Sequence, residues 1–394
     1  MATPGLPKER LRRMHDVMAG YIDRHELPGL VTLVSRRGEV HVDAIGMKAI
    51  GGSDPMRHDT IFRIASMTKV ITAAAAMILV EECKLRLDEP VDRLLPELAD
   101  RRVLKRLDGP LDDTVPANRP ITVHDLLTLR LGIGAVMAPP DWYPIQTAMN
   151  ELGLAPGANP PSHTPDEWLK RLGSLPLIHQ PGAKWLYHTG SDILGVLIAR
   201  AAGQSLADFF RERICEPLGM KDTGFHVPAE KLARLPPSYM ANPVTGALTV
   251  HDEPGSSRWG RPPAFPSGGG GLVSTVDDYL AFCQMMLNKG GHGRERILSR
   301  PSVELMTINH LTPEQTAENC LFFGDSSGWG FGVAVDLATV PGRFGWNGGL
   351  GTSGYSDPGK ELVGILMTQR LIDSPQSPGV YRDFWTSAYQ AIDD

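Results

Sequence analysis

Ser66 and Lys69 stand three residues apart at the head of the run FRIASMTKVITAAAAMILVEECKLRL, residues 62–87. On a helix that spacing stacks an ammonium nitrogen beside a hydroxyl, which is a nucleophile with a base next to it. A Ser-x-x-Lys pair is weak by itself, because 21 Ser and 11 Lys in 394 positions supply about 0.6 such pairs by chance. The plain alternative is a helix N-cap serine beside a solvated lysine. The position of the pair argues for more. Ser66 falls where an exposed loop turns into a helix, so its backbone N–H is a helix-start donor without an intrahelical acceptor.

The helix that carries the pair is apolar from Val70 to Val80 at every position but Thr72, and is therefore expected in the core. At about 1.5 Å per residue it falls far short of a bilayer core of roughly 30 Å. Ahead of it the spacing predicts a helix over 7–25, then a β-hairpin over GLVTLVSRRGEVHVDAIG (29–46) turning at Arg36, Arg37 and Gly38. Behind it come LDEPVDRLLPEL (87–98) and ITVHDLLTLRLGI (121–133), both read as helical and loop structure, with Thr122 as an N-cap. The Pro-rich stretch 138–165, with Trp142 and Tyr143, reads as an insertion lying over a site. Thr164, Pro165 and Glu167 have the pattern that starts a helix containing Trp168. Helices follow over 191–202, ending at Gly203, and 206–214, capped by Ser205.

From Pro266 a Gly-rich turn leads into a helix capped near Ser274 or Thr275. Successive strands are then predicted at WGFGVAVD (329–336), RFGWNGGL (343–350), TSGYSD (352–357) and ELVGILMTQ (361–369), with a last helix over 379–392. This is an α+β chain. Residues 1–64 and 262–394 are expected to form one domain whose antiparallel sheet is built from both termini and flanked by terminal helices. Residues 65–261 are expected to form a mostly helical inserted domain with the active-site loops.

A formal charge of −6 gives no basic field for nucleic acid or anionic lipid. The four cysteines (Cys83, Cys215, Cys283, Cys320) are far apart, with no CxxC pair and no His at ligand spacing, and read as reduced and structural. The N-terminal segment is charged and amphipathic without a signal-peptide pattern, so a cytoplasmic protein is expected. Neither metal nor organic cofactor is called for by these residues.

Two later segments carry a resemblance. KWLYHTGSDILG (184–195) is similar to the Tyr-x-Asn segment of serine β-lactamase-like enzymes, with Tyr187 before a buried helix and Thr189 where Asn usually contacts an acyl side chain. FGWNGGLGTSGYSDP (344–358) is similar to the strand that carries Lys-Thr-Gly, here Trp346, Asn347 and Gly348. With FRIASMTK, PSGGGGLVST and GWGFGVAVD, the chain from about residue 10 onward resembles the class C β-lactamase and DD-peptidase superfamily. Within it the chain is most similar to the family VIII carboxylesterases, in which Trp or His commonly replaces the third-motif Lys. The sequence departs from the family at Leu129, Arg130 and Leu131, where His-Thr-Ser is usual.

The resemblance implies a serine β-lactamase-like fold and an acyl-enzyme on Ser66, with Lys69 and Tyr187 as its catalytic partners. It also implies an oxyanion hole from the N–H groups of Ser66 and Gly349, and substrate contacts from Trp346, Asn347, Gly348 and Thr189. From the groups themselves, Lys69 could have a depressed pKa and Tyr187 could be held partly as phenolate, so either could be the base. Trp346 cannot supply the charge that binds a substrate carboxylate, which favours short-chain or compact neutral esters. Trp142, Tyr143, Trp185 and Trp259 are candidates for lining an acyl pocket. The alternatives are a weak β-lactamase or DD-peptidase-like hydrolase, an acyltransferase of the same fold, or a non-catalytic penicillin-binding-like sensor. A small-molecule ester is the expected partner, and monomer and homodimer are not distinguished.

Three further features are read as bystanders. Gly324-Asp325-Ser326-Ser327-Gly328 fits G-x-S-x-G but precedes a strand instead of a helix. Arg343 is expected on the strand face opposite Trp346, as a solvated surface residue. His188, adjacent to Tyr187, is expected to point away from the pair.

Overall fold

The computed structural model describes residues 5–324, 326–373 and 378–393. Seven strands form one antiparallel sheet: β1 (Gly29–Arg36), β2 (Glu39–Gly46), β3 (Ser327–Trp329), β4 (Ala334–Asp336), β5 (Phe344–Gly348), β6 (Thr352–Asp357) and β7 (Leu362–Thr368). Their order is β3-β4-β5-β6-β7-β1-β2, so the N-terminal hairpin pairs with the last strand, Leu30 opposite Thr368 and Arg36 opposite Leu362. The hairpin turns at Arg37 and Gly38, both at positive φ (49° and 84°), the twist-compatible two-residue turn.

Alternation along β1 sends Leu30 and Val34 to one face and Val31 and Leu33 to the other, and both faces are covered. Helices α1 (Lys8–Asp23) and α5 (Gly379–Gln390) pack on each other over the first face, where Met14, Met18, Tyr381 and Phe384 meet Leu30, Val34, Leu362 and Leu366. Arg10 ties the chain ends together, donating to the Ile392 carbonyl at 2.5 Å. Helix α4 (Val276–Leu287), capped by Thr275, lies on the other face.

Residues between β2 and α4 supply α2 (Thr68–Glu81) and α3 (Thr189–Ala202), which pack together and share one apolar core with the second sheet face. Thr72, the polar exception on α2, back-bonds to the Thr68 carbonyl at 3.1 Å and donates to the Gly268 carbonyl at 2.7 Å. That anchors the Gly-rich turn to α2, and only glycine fits there, because a Cβ at 268 would lie 2.5 Å from the Ser191 carbonyl oxygen. Thr122 and Asp125 form a reciprocal capping box, and Thr164 caps the helix Pro165–Gly173.

The structure departs from the sequence reading in several elements. WGFGVAVD is not one strand but two antiparallel ones, β3 and β4, reversing where Gly332 adopts φ +69°. Residues 87–98 form only the short turns Val91–Arg93 and Pro96–Leu98, since Pro90 and Pro96 interrupt helical bonding. The helix capped by Ser205 is α-helical over Leu206–Phe210 and widens to a π-turn over Arg211–Cys215. All four cysteines are free. No single described helix is long and apolar enough to cross a membrane.

Candidate active site

Ser66 sits in a 3-10 turn, Ala65–Met67, that runs directly into α2, with Ala65 at φ +44°. Lys69, on the first turn of α2, places Nζ 3.1 Å from Ser66 Oγ. The lysine is fully buried, and the loss of solvent pulls its pKa down to about 7, against a smaller upward pull from Asp192. Nζ also reaches the Gly269 carbonyl at 2.5 Å and His188 Nδ1 at 3.2 Å.

Tyr187 precedes α3 and lays its ring under the lysine, Nζ lying 4.6 Å from the ring centroid. Its hydroxyl accepts a hydrogen bond from Trp346 Nε1 at 2.6 Å and bonds Ser66. Trp185 stacks on the ring at 5.5 Å, with Phe322 and Trp329 around it. This burial outweighs both hydrogen bonds and pushes the phenol up to about 12. The expectation of a partial phenolate is therefore corrected. The cation meets the ring and not the oxygen, and Tyr187 is a neutral phenol at neutral pH.

His188 is the second correction. The Thr189 N–H bonds the Tyr187 carbonyl at 3.2 Å across His188, which takes φ +81° and ψ −65°. This is a γ-turn of the strained hand. It folds the chain back so that consecutive side chains both face Lys69. His188 Nε2 lies 3.1 Å from Asp192 Oδ2 one helical turn along α3. Asp192 Oδ1 accepts from Ser267 Oγ at 2.6 Å and from the Gly269 N–H at 2.9 Å. The signal available in the sequence was the His-x-x-x-Asp spacing across an α3 start, 188 to 192.

Strand β5 brings Trp346, Asn347 and Gly348 against the Ser66 turn. A Cβ at Gly348 would lie 2.3 Å from the Ile64 carbonyl oxygen, so the close approach requires glycine. Gly349 follows at the strand end, where a Cβ would meet open space, and its N–H bonds no backbone carbonyl among the described residues. Asn347 Oδ1 and Thr189 Oγ1 are buried without hydrogen-bond partners among the described residues.

Two cavities flank the Tyr187–His188 pair. One, of about 660 Å³, is lined by His188, Thr189, Asp192, Trp168 and Trp259. The other, of about 380 Å³, is lined by Tyr187, Tyr143, Trp185 and Phe322. Trp142 lines neither and stands 68% exposed at the surface. Arg343 does lie away from Trp346, but it is only partly exposed. It bonds Asp336 at 3.1 Å and sits among Tyr355, Trp385 and Tyr389 beneath α5. In the G-x-S-x-G stretch Asp325 lies outside the described residues, and Ser326 leads into strand β3.

The family model described as Beta-lactamase matches residues 14–381. The chain belongs to the beta-lactamase family. Its fold is the α+β serine β-lactamase-like fold. An uncharacterized protein of Mycobacterium tuberculosis is 39% identical to this family member over 360 residues, covering 88% of this chain and 87% of its own. Esterase EstB of Burkholderia gladioli is 30% identical over 391 residues, covering 93% and 92%. Among solved structures, EstCE1, described as a hydrolase with promiscuous acyltransferase activity, superposes with a TM-score of 0.82 at 26% identity over 96% of this chain and 98% of its own.

Proposed function

We propose that this enzyme is a serine carboxylesterase that cleaves compact neutral esters through an acyl-enzyme on Ser66. The observation that carries the reading is the Lys69–Ser66 contact of 3.1 Å made by a fully buried lysine whose pKa is drawn to about 7. Near neutral pH much of that amine is uncharged, so it can take the serine proton as Oγ adds to the ester carbonyl. The oxyanion is placed between the N–H groups of Ser66 and Gly349. Tyr187, a neutral phenol bonded to Ser66, is the group suited to pass a proton to the leaving alkoxide. The acyl-enzyme then holds an ammonium at Lys69 and a phenolate at Tyr187, the phenolate to take a proton from water and the ammonium to return one to Ser66 Oγ. In the second half-reaction the same groups serve a water in the reverse sense.

Trp346 supports the choice of neutral esters. It stands where the resemblance puts a carboxylate-binding lysine, and its N–H is already given to Tyr187. A β-lactam carboxylate finds no cation there, which weighs against the lactamase reading. A second reading, acyl transfer to an alcohol, is favoured by the likeness to EstCE1, described as a hydrolase with promiscuous acyltransferase activity.

Initial rates on p-nitrophenyl acetate, butyrate and octanoate and on a chromogenic cephalosporin, for wild type and Ser66→Ala, test the proposal. Ester turnover that falls with chain length, vanishes in Ser66→Ala and exceeds lactam turnover supports it. Lactam turnover in excess, or full activity in Ser66→Ala, overturns it. A transesterified product formed faster than acid when a primary alcohol is added selects the transferase reading.

A further inference from the structure

We propose that Asp192 and His188 aim the lone pair of Lys69 at Ser66: Asp192 fixes the imidazole proton on Nε2, and the bare Nδ1 then accepts one N–H of the lysine amine. The inference rests on the proposed role of Lys69 as base and adds two positioning residues to it.

A neutral amine has two N–H bonds and one lone pair. Lys69 Nζ has three partners in hydrogen-bond range: Ser66 Oγ at 3.1 Å, His188 Nδ1 at 3.2 Å and the Gly269 carbonyl at 2.5 Å. The carbonyl only accepts, so it takes one N–H. What happens to the second N–H depends on the histidine tautomer. His188 Nε2 faces the Asp192 carboxylate at 3.1 Å, and that carboxylate is held ionised by the histidine, Ser267 and the Gly269 N–H. An ionised carboxylate only accepts, so Nε2 carries the proton and Nδ1 is bare. Nδ1 takes the second N–H, and the lone pair that remains is directed to the Ser66 hydroxyl hydrogen.

The Gly269 peptide closes this arrangement, giving its N–H to Asp192 and its carbonyl to Lys69. A Cβ at 269 would sit 3.0 Å from both Asp192 Oδ1 and His188 Nε2. The polar and titratable groups facing the lysine are Ser66, the Tyr187 ring, His188 and Asp192. Those facing the histidine are Lys69, Asp192 and Tyr187. The γ-turn at His188 is strain that this contact explains: without it the ring would leave the lysine.

Asp192→Asn separates this role from simple packing. A carboxamide donates to Nε2, drives the proton to Nδ1, and turns His188 into a donor that captures the Lys69 lone pair. Turnover of p-nitrophenyl acetate is expected to fall at least 100-fold in kcat with KM within threefold. His188→Asn supplies a carbonyl oxygen near the Nδ1 position without needing Asp192, and asparagine tolerates positive φ. It is expected to keep at least a tenth of wild-type kcat, and His188→Asn/Asp192→Asn is expected to be no worse than His188→Asn alone.

Asp192→Asn within threefold of wild type, or a double variant as poor as Asp192→Asn, overturns the inference while Ser66→Ala remains inactive. Full activity in Ser66→Ala defeats the esterase reading instead. Imidazole 15N shifts of wild type, with His188 assigned by its loss in His188→Asn, read the tautomer without any turnover. An Nε2–H signal from pH 6 to 9 is expected, and an Nδ1–H or imidazolium signal overturns the proposal.

Discussion

Lys69 is buried with no carboxylate in direct contact among the described residues, so its charged form is the one the fold disfavours. Two consequences follow, and both rise with pH. With the uncharged amine as the proposed base, kcat/KM for p-nitrophenyl acetate is expected to rise with pH to a plateau above about 7 and to fall tenfold per unit below it. Stability is affected because the unfolded lysine, with its ordinary pKa of 10.5, binds more protons than the folded one between about 7 and 10.5. The free energy of unfolding therefore increases with pH across that window. Urea unfolding at pH 7 and pH 9 checks this, and Lys69→Met is expected to lose the increment. Tyr187→Phe removes the proposed proton shuttle and is expected to lower kcat by roughly 10²-fold to 10⁴-fold. Trp346→Phe keeps an aromatic ring, though a smaller one, and removes the 2.6 Å hydrogen bond to Tyr187, with kcat expected to fall about tenfold. That Ser66 and Lys69 stand together was legible from helical spacing, and that Tyr187 joins them was legible from the resemblance. His188 was not, because a γ-turn at a non-glycine residue leaves no compositional mark. Trp142 was misleading, since an aromatic residue in a Pro-rich insertion looks the same whether it faces a pocket or solvent.

Among the elements, the β3–β4 reversal shows where pattern reading failed. Trp329 to Asp336 are all buried, so the period-two alternation that separates one strand from two is absent. The reversal also touches the chemistry. A Cβ at Gly332 would lie 2.6 Å from the Lys69 carbonyl oxygen, and its φ of +69° disfavours any other residue. Gly332→Ala is expected to destabilise the fold by about 1–3 kcal/mol. It is also expected to lower kcat per folded molecule, measured by thermal melting beside active-site titration with a serine-directed phosphonate. Caps were the most legible local feature. Thr122, Thr164 and Thr275 all accept from the N–H three residues on, as their spacing predicts.

At the scale of the whole molecule, the outer helix layer reaches the site. Tyr381 on α5 donates its hydroxyl to the Gly348 carbonyl at 3.2 Å, immediately before the Gly349 N–H. Tyr381→Phe keeps the buried ring and is expected to cost about 1 kcal/mol of stability. A fall in kcat of threefold to tenfold at unchanged KM is the accompanying expectation, because the loop end proposed to receive the oxyanion loses its support. The joining of both termini in one sheet was legible from helix-plus-hairpin at one end and strands-plus-helix at the other. Strand order was not, since nothing in β1 names β7 as its neighbour.

That pairing has a consequence for how the molecule comes to exist. Leu30 leaves the ribosome long before Thr368, so β1, buried along its whole length in the finished protein, must wait with one edge open through nearly the entire synthesis of the chain. Contacts this distant in sequence are formed late and slowly. Recovery from denaturant is expected to be concentration-limited, with GLVTLVSR the segment that seeks a partner in another chain before its own arrives.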